Sequence, residues 1–105
     1  MDIVGIGIDA TEIRRIADAI ERWGDRFVGR VFTDGEIAYC RAKRDFASSF
    51  AARFAAKEAA MKVLRPSRDD AVPWNTIAVR RDEAGAVAVE LSGRAAELDA
   101  APAGI

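Results

Sequence analysis

Lys57, Glu58 and Lys62 stand out in an alanine- and phenylalanine-rich stretch, residues 50–64, in the middle of the sequence. Alanine, leucine, methionine, lysine and glutamate are strong helix formers, so we predict that this stretch is a helix. Glu58 and Lys62 then lie one above the other, and Lys57 falls within a stripe of apolar side chains. Carboxylate and ammonium groups in apolar surroundings suit a divalent cation that binds phosphates, because the cation and the phosphates would neutralise them.

The spacing of Glu58 and Lys62 has a second interpretation, an ordinary solvated ion pair. A glutamate and a lysine at i, i+4 stabilise a helix by about 0.2–0.5 kcal/mol and need no catalytic role. The flanking alanine and phenylalanine side chains argue against this interpretation, since they leave little polar surface beside the charges. On the residues alone, both interpretations stay open.

Asp9 is a second carboxylate with a chemical role to consider. It ends the segment IVGIGID, residues 3–9, whose continuous apolar pattern predicts a strand buried on both faces. Gly5 and Gly7 leave bare the strand face that Asp9 shares, and glycine in a strand often marks the close approach of a ligand. The alternative role of Asp9 is to cap the helix that follows, because aspartate is a preferred N-cap residue.

Several classes of chemistry are excluded by composition. The sequence contains no histidine, which excludes histidine triads, histidine zinc sites and histidine general bases. Its one cysteine, Cys40, forms no disulfide within the chain, which favours a cytoplasmic location, and we predict a core role for it. The net charge of −1 gives no reason to expect nucleic-acid binding. No apolar run of about 18 residues predicts a membrane span, and the N-terminus lacks the basic region of a signal peptide.

The elements that position these side chains form one domain over residues 1–105. We predict a first helix over residues 11–27, with a buried face consisting of Ile13, Ile16, Ile20, Trp23 and Phe27. A row of arginines falls on the opposite side: Arg15, Arg22, Arg26 and Arg30. This row is either an ordinary solvated face or a docking surface for an acidic partner.

The rest of the chain predicts an α+β fold. A capping box at residues 33–36 opens a helix to about residue 43, with Ile37, Tyr39 and Cys40 inward. Ser48 and Ser49 are candidate caps of the central helix. Residues 74–81 and 86–91 have the pattern of a β-hairpin, and a short helix follows Ser92 to about residue 100. A helix that leaves a sheet normally returns to it, so we expect that a C-terminal return strand is missing.

Two segments together resemble the 4′-phosphopantetheinyl transferases. They are IGID at residues 6–9 and FAAKEAAMK at residues 54–62. The short length, the EIRRI segment at residues 12–16 and the RFAAKEA segment at residues 53–59 are similar to the holo-acyl-carrier-protein synthase branch of that family. The resemblance implies that fold: an N-terminal strand, three helices, a hairpin and a short helix on a small sheet.

The resemblance also implies an activity. Such an enzyme transfers the 4′-phosphopantetheine arm of coenzyme A to a serine of apo-acyl-carrier protein, in fatty acid or polyketide biosynthesis, and releases adenosine 3′,5′-bisphosphate. By the same resemblance, Asp9 and Glu58 would hold Mg²⁺, or alternatively Mn²⁺. Lys62 would be the acid for the leaving phosphate, and Lys57 would contact the coenzyme A phosphates.

For partners, the resemblance implies that Arg15, and with it Arg22 and Arg26, bind the acidic helix of the carrier protein. It further implies a homotrimer with coenzyme A between subunits. The family pattern continues with a serine- and histidine-bearing strand that this sequence lacks. The alternative to an active transferase is therefore a truncated, non-catalytic remnant that folds and binds carrier protein without turnover.

Overall fold

The architecture is α+β, as the sequence predicts. The computed structural model describes residues 2–3, 9–64, 71–81 and 87–100. The helices are α1 (Ala10–Trp23), α2 (Asp25–Val31), α3 (Asp34–Arg41), α4 (Phe46–Leu64) and α5 (Gly93–Ala100), and a 3₁₀ turn covers Trp74–Thr76. The strands are β1 (Asp2–Ile3), β2 (Ile77–Arg81) and β3 (Val87–Leu91).

The three described strands form one antiparallel sheet in the order β1-β3-β2. Val79 lies opposite Val89 and Ile77 opposite Leu91, which confirms the predicted hairpin. The predicted strand at residues 74–76 is wrong, because Pro73 starts a 3₁₀ turn there: its carbonyl accepts from the Thr76 hydroxyl at 2.6 Å. Strand β1 confirms only the start of the predicted N-terminal strand. Residues 4–8 and the expected return strand lie outside the described residues.

The single helix predicted over residues 11–27 is wrong, because the chain breaks at Gly24. Gly24 has φ 54° and ψ −132°, a conformation that side-chain-bearing residues rarely adopt. Its N–H donates to the Ile20 carbonyl at 2.8 Å and ends α1, and its own carbonyl accepts from Phe27 and Val28 and starts α2. Trp23, predicted to be buried, is 50% exposed because it lies at this break.

Helix α4 begins four residues earlier than predicted. The cap is Asp45, and the prediction that Ser48 or Ser49 caps the helix is wrong. Asp45 accepts from the Ser48 backbone N–H at 3.1 Å and from the Ser48 hydroxyl at 2.6 Å. These hydrogen bonds to Ser48 lower the pKa of the Asp45 carboxyl.

Two hydrophobic clusters make up the core, and α4 contributes to both. The first cluster joins α1, α2, α3 and the first half of α4; its buried members are Ile16, Val28, Phe32, Cys40, Phe50 and Ala51. The second joins the rest of α4 to the sheet and α5; it includes Ala56, Ala60, Ile77, Val79, Val89 and Ala95. Among the described helices, none combines the length and the apolarity that crossing a bilayer requires.

Candidate active site

Asp9 caps α1, as the capping alternative predicts. Its side chain is exposed, and Oδ1 accepts from the Glu12 N–H at 2.8 Å. A carboxylate oxygen has lone pairs to spare, and Oδ2 has no hydrogen-bond partner among the described residues. The capping role therefore leaves Asp9 able to accept a second ligand at the N-terminal end of α1.

Glu58 is half-buried on α4, and its carboxylate has no hydrogen-bond or ion-pair partner within the described part of the chain. Lys62, four residues on, is exposed and does not pair with it. The interpretation of Glu58 and Lys62 as an ordinary i, i+4 ion pair is therefore wrong. The carboxylate of Glu58 is therefore open to a ligand on the alanine-rich face of α4.

Lys57 is completely buried, at 0% exposure. Its Nζ lies 2.7 Å from Glu36 Oε1 and donates to the carbonyls of Trp74, at 3.2 Å, and Ile77. Burial lowers the pKa of Lys57, and the hydrogen bond and negative charge of Glu36 act against that change. Because Glu36 and two backbone carbonyls already bind the ammonium group of Lys57, the structure does not support the predicted contact of Lys57 with coenzyme A phosphates.

Glu36 is the residue that the sequence analysis missed. Its predicted capping box with Thr33 is confirmed, with Oε1 accepting from the Thr33 N–H at 2.8 Å. The same carboxylate also accepts from the Val79 N–H, through Oε2 at 2.8 Å, and pairs with Lys57. One buried side chain thus joins α3, α4 and β2. The sequence signal for such a residue was Lys57 in an apolar stripe. A buried lysine requires an acidic partner, but the sequence does not say which acidic residue it is.

Arg53 also escaped the sequence analysis as a site residue. The residue is 7% exposed, its Nη1 donates to the Ser49 carbonyl and hydroxyl at 3.2 and 3.1 Å, and its Nε is buried without a partner within the described residues. The guanidinium lies 4.2 Å from the centroid of the Tyr39 ring. Tyr39 is 42% exposed and does not point inward as predicted.

A cavity of about 310 Å³ opens beside Arg53, and Arg80 and Arg81 also line it. Glu36 also lines this cavity, and Arg80 pairs with Glu90 at 2.8 Å, so Arg53 and Arg81 are the lining cations that favour an anion.

The predicted arginine row is divided by the break at Gly24. Arg15 is exposed on α1 and pairs with Glu12 at 3.0 Å, and Arg22 lies 5.1 Å from the Trp23 ring centroid. Arg26 is on α2, beside a groove of about 610 Å³ lined by Trp23, Arg26, Phe27, Arg30 and Val31. The exposed cations and aromatic rings form a surface on which an acidic, amphipathic segment could bind.

Asp9 and Glu58 are the two carboxylates predicted to hold a divalent cation. The described residues contain no group of three or more acidic or cysteine side chains that could hold a metal. Mg²⁺ is commonly held by one or two carboxylates together with substrate phosphates and water, so Asp9 and Glu58 are sufficient in kind. The carboxylate of Glu58, which has no partner in the described ranges, fits such an ion.

Comparison with known proteins identifies the class. A family model described as the 4′-phosphopantetheinyl transferase superfamily matches residues 5–101, so the chain belongs to this superfamily of transferases. Among its relatives is the holo-(acyl-carrier-protein) synthase of Koribacter versatilis, 46% identical over 96 residues, which cover 91% of this chain and 77% of that protein. The enzyme of the same name from Sinorhizobium fredii is 45% identical over 94 residues, 90% of this chain and 68% of that protein. The resemblance stated from the two motifs is confirmed.

Proposed function

We propose that the chain transfers the 4′-phosphopantetheine moiety of coenzyme A to a serine of apo-acyl-carrier protein. The products are holo-acyl-carrier protein and adenosine 3′,5′-bisphosphate. The family match and the relatives named holo-(acyl-carrier-protein) synthase support this proposal. The single observation in the structure that carries it is Glu58, a half-buried residue on an alanine-rich helix whose carboxylate has no partner among the described residues.

In the proposed reaction, the serine oxygen of the carrier attacks the phosphorus that bears the pantetheine arm, and the hydroxyl proton passes to water. The bond from that phosphorus to the bridging oxygen breaks, and adenosine 3′,5′-bisphosphate leaves. Asp9 and Glu58 would hold Mg²⁺, or Mn²⁺, which supplies charge neutralisation for the pyrophosphate oxygens. The exposed ammonium of Lys62, one turn along α4 from Glu58, gives a proton to the departing phosphate.

Binding of the two substrates is assigned to different surfaces. The cavity lined by Arg53, Arg80 and Arg81 is suited to a phosphate of coenzyme A, because guanidinium groups bind phosphate oxygens. The acidic helix of the carrier protein would bind Arg15, Arg22 and Arg26. We further propose that the protein acts in the cytoplasm as a homotrimer.

The decisive experiment measures transfer directly. Apo-acyl-carrier protein is incubated with coenzyme A and the chain, with and without Mg²⁺, and its intact mass is followed. We expect a Mg²⁺-dependent gain of one phosphopantetheine. Glu58→Ala should abolish it while leaving the circular dichroism spectrum unchanged, and Glu97→Ala, an exposed glutamate on α5, is the matched control. An active Glu58→Ala variant would remove the assignment of Glu58.

The same samples test the alternative of a non-catalytic remnant. If the chain captures apo-carrier protein in a pull-down without any mass gain, the remnant interpretation replaces the transferase. If neither capture nor mass gain is observed, the proposed function is wrong.

A further inference from the structure

The rotation of α4 about its own axis decides where Glu58 and Lys62 point. Around Glu58 the helix surface consists mostly of methyl groups: Ala55, Ala56, Ala59 and Ala60. Alanine presents the same small side chain on every face, so apolar packing distinguishes poorly between rotations of such a helix. The larger contacts lie to either side: Phe54 stacks on Trp74 at 5.0 Å one turn before Glu58, and Met61 and Leu64 pack after it.

The buried ion pair adds a polar constraint on the rotation of α4 directly beside Glu58. Lys57 Nζ is held at 2.7 Å by Glu36 Oε1 and also donates to the carbonyls of Trp74 and Ile77. Glu36 is itself fixed by the N–H groups of Thr33 and Val79, both at 2.8 Å. Any rotation of α4 would leave two buried charges without partners, at a large cost.

We infer that the buried Glu36–Lys57 ion pair sets the rotational register of α4 and so directs Glu58 and Lys62 toward the reacting groups. Glu36 and Lys57 act as positioning residues in this inference, because the Lys57 ammonium and both Glu36 oxygens already have partners within the protein. The register itself stands on contacts in the structure; its consequence for catalysis rests on the proposed function. A buried polar pair in this role selects one arrangement among several of similar apolar packing.

The test uses variants that separate stability from register. Glu36→Gln and Lys57→Met each leave one buried group without its partner, and both should lower the melting temperature. The double variant removes both charges, so it should be more stable than either single variant. The double variant would still lack the fixed rotation of α4 that the ion pair enforces.

The rotational register of α4 is measured by thiol labelling, without any metal. Glu58→Cys, Lys62→Cys and Val63→Cys are introduced one at a time, with and without the double substitution, and their thiol-labelling rates are measured. We expect a severalfold change in the labelling rate at position 58 relative to position 63 when the ion pair is removed. Cys40 is buried and should not interfere. Unchanged relative rates would overturn the inference.

The consequence for the metal site is measured in protein that retains Glu58. Mn²⁺ alone is added, and its binding is monitored by electron paramagnetic resonance. We expect the double variant to bind Mn²⁺ about 10- to 100-fold more weakly than the parent protein, as is usual when the support of a metal ligand is lost. Equal affinities would show that the ion pair serves stability alone.

Val28→Ala is the matched control, because it weakens the other hydrophobic cluster without changing a charge. It should lower the melting temperature but leave the labelling ratios and Mn²⁺ affinity at parent values. If Val28→Ala changes both readouts as the double variant does, general loosening explains them and the inference fails. If the parent protein shows no Glu58-dependent Mn²⁺ binding, the proposed function fails, and the labelling rates still decide the register.

Discussion

Neighbouring residues on α4 have opposite surroundings. Lys57 is sealed in the interior with three partners, and Glu58, the next residue, is half-buried with none in the described structure. The difference follows from the helix rotation of about 100° per residue, which turns one side chain to β2 and the next away from it. The sequence alone suggested one shared role for these charges. The structure divides them into a structural lysine and a carboxylate open to a ligand.

At the residue scale, Lys62→Ala should reduce kcat by about 100-fold or more, because a general acid contributes about 10²–10⁴-fold to a rate. The KM for coenzyme A should change little, since the lost proton donor acts mainly in the transition state. Steady-state kinetics with apo-carrier protein measure both constants. Val63→Ala, at the adjacent exposed position, is the control and should behave like the parent. Equal losses in kcat and coenzyme A binding would contradict the leaving-group role.

Cys40 offers a second prediction at this scale. Burial raises the pKa of its thiol, and the side chain is fully inaccessible, so little reactive thiolate is available at neutral pH. We expect labelling of Cys40 to be on the order of a thousandfold slower than that of an Ala42→Cys variant, because it requires opening of the core. Mass spectrometry after timed exposure to iodoacetamide gives both rates. Comparable rates would mean that the first hydrophobic cluster opens readily.

At the element scale, the break at Gly24 leads to a prediction about stability. Gly24→Ala should destabilise the protein by about 1–3 kcal/mol, because alanine is strained at this positive φ. The added methyl group would meet no atom within 4 Å, so the loss would come from the backbone and not from a clash. Urea unfolding measures the free-energy change.

Gly29→Ala is the matched control within α2, where no atom lies within 4 Å of the new methyl group either. Alanine there should stabilise the protein by about 0.5–1 kcal/mol, because glycine is a poor helix former. Similar effects of the two substitutions would show that the conformation of Gly24 is not what separates α1 from α2.

Elements were predictable where the local chemistry had one interpretation. The alanine-rich α4, the alternation in β2 and β3 and the capping box at Thr33 were all assigned correctly, because each depends on residues close in sequence. The break at Gly24 was not assigned, since a glycine is tolerated inside a helical pattern and only its φ decides. The start of α4 was missed because Asp45 and the two serines all have good capping chemistry.

The candidate site was predictable to a different extent. Asp9, Glu58 and Lys62 stay predictions from the two motifs, and the structure adds that Glu58 has no partner within the described residues. The partner of Lys57 was beyond local reasoning, because Glu36 is on another helix and many acidic residues could have filled that role. The anion cavity at Arg53 depends on β2 and α3 meeting α4, which is a tertiary event.

At the scale of the whole molecule, the net charge is −1, and acidic residues are interspersed among the exposed arginines of α1 and α2, so attraction of an acidic partner would depend on a few individual arginines. Arg22→Glu and Arg26→Glu should each slow association with an acidic carrier protein about tenfold at low ionic strength, because they remove electrostatic steering. Surface plasmon resonance at two salt concentrations measures this, and the difference should shrink at high salt.

Arg44→Glu is the control for these charge reversals, since it changes the net charge equally from an exposed position between α3 and α4. It should alter association by much less than the reversals on α1 and α2. An equal effect at all three positions would indicate long-range attraction without a defined docking surface.

Because α4 supplies side chains to both hydrophobic clusters, neither half of the molecule can melt on its own. If the sheet and α5 unfolded, the second half of α4 would lose its packing. The helix would then be destabilised along its length, and so would the aromatic cluster around its first half. Calorimetric and van't Hoff enthalpies should therefore agree, and the amide protons in the middle of α4 should be the last to exchange with deuterium.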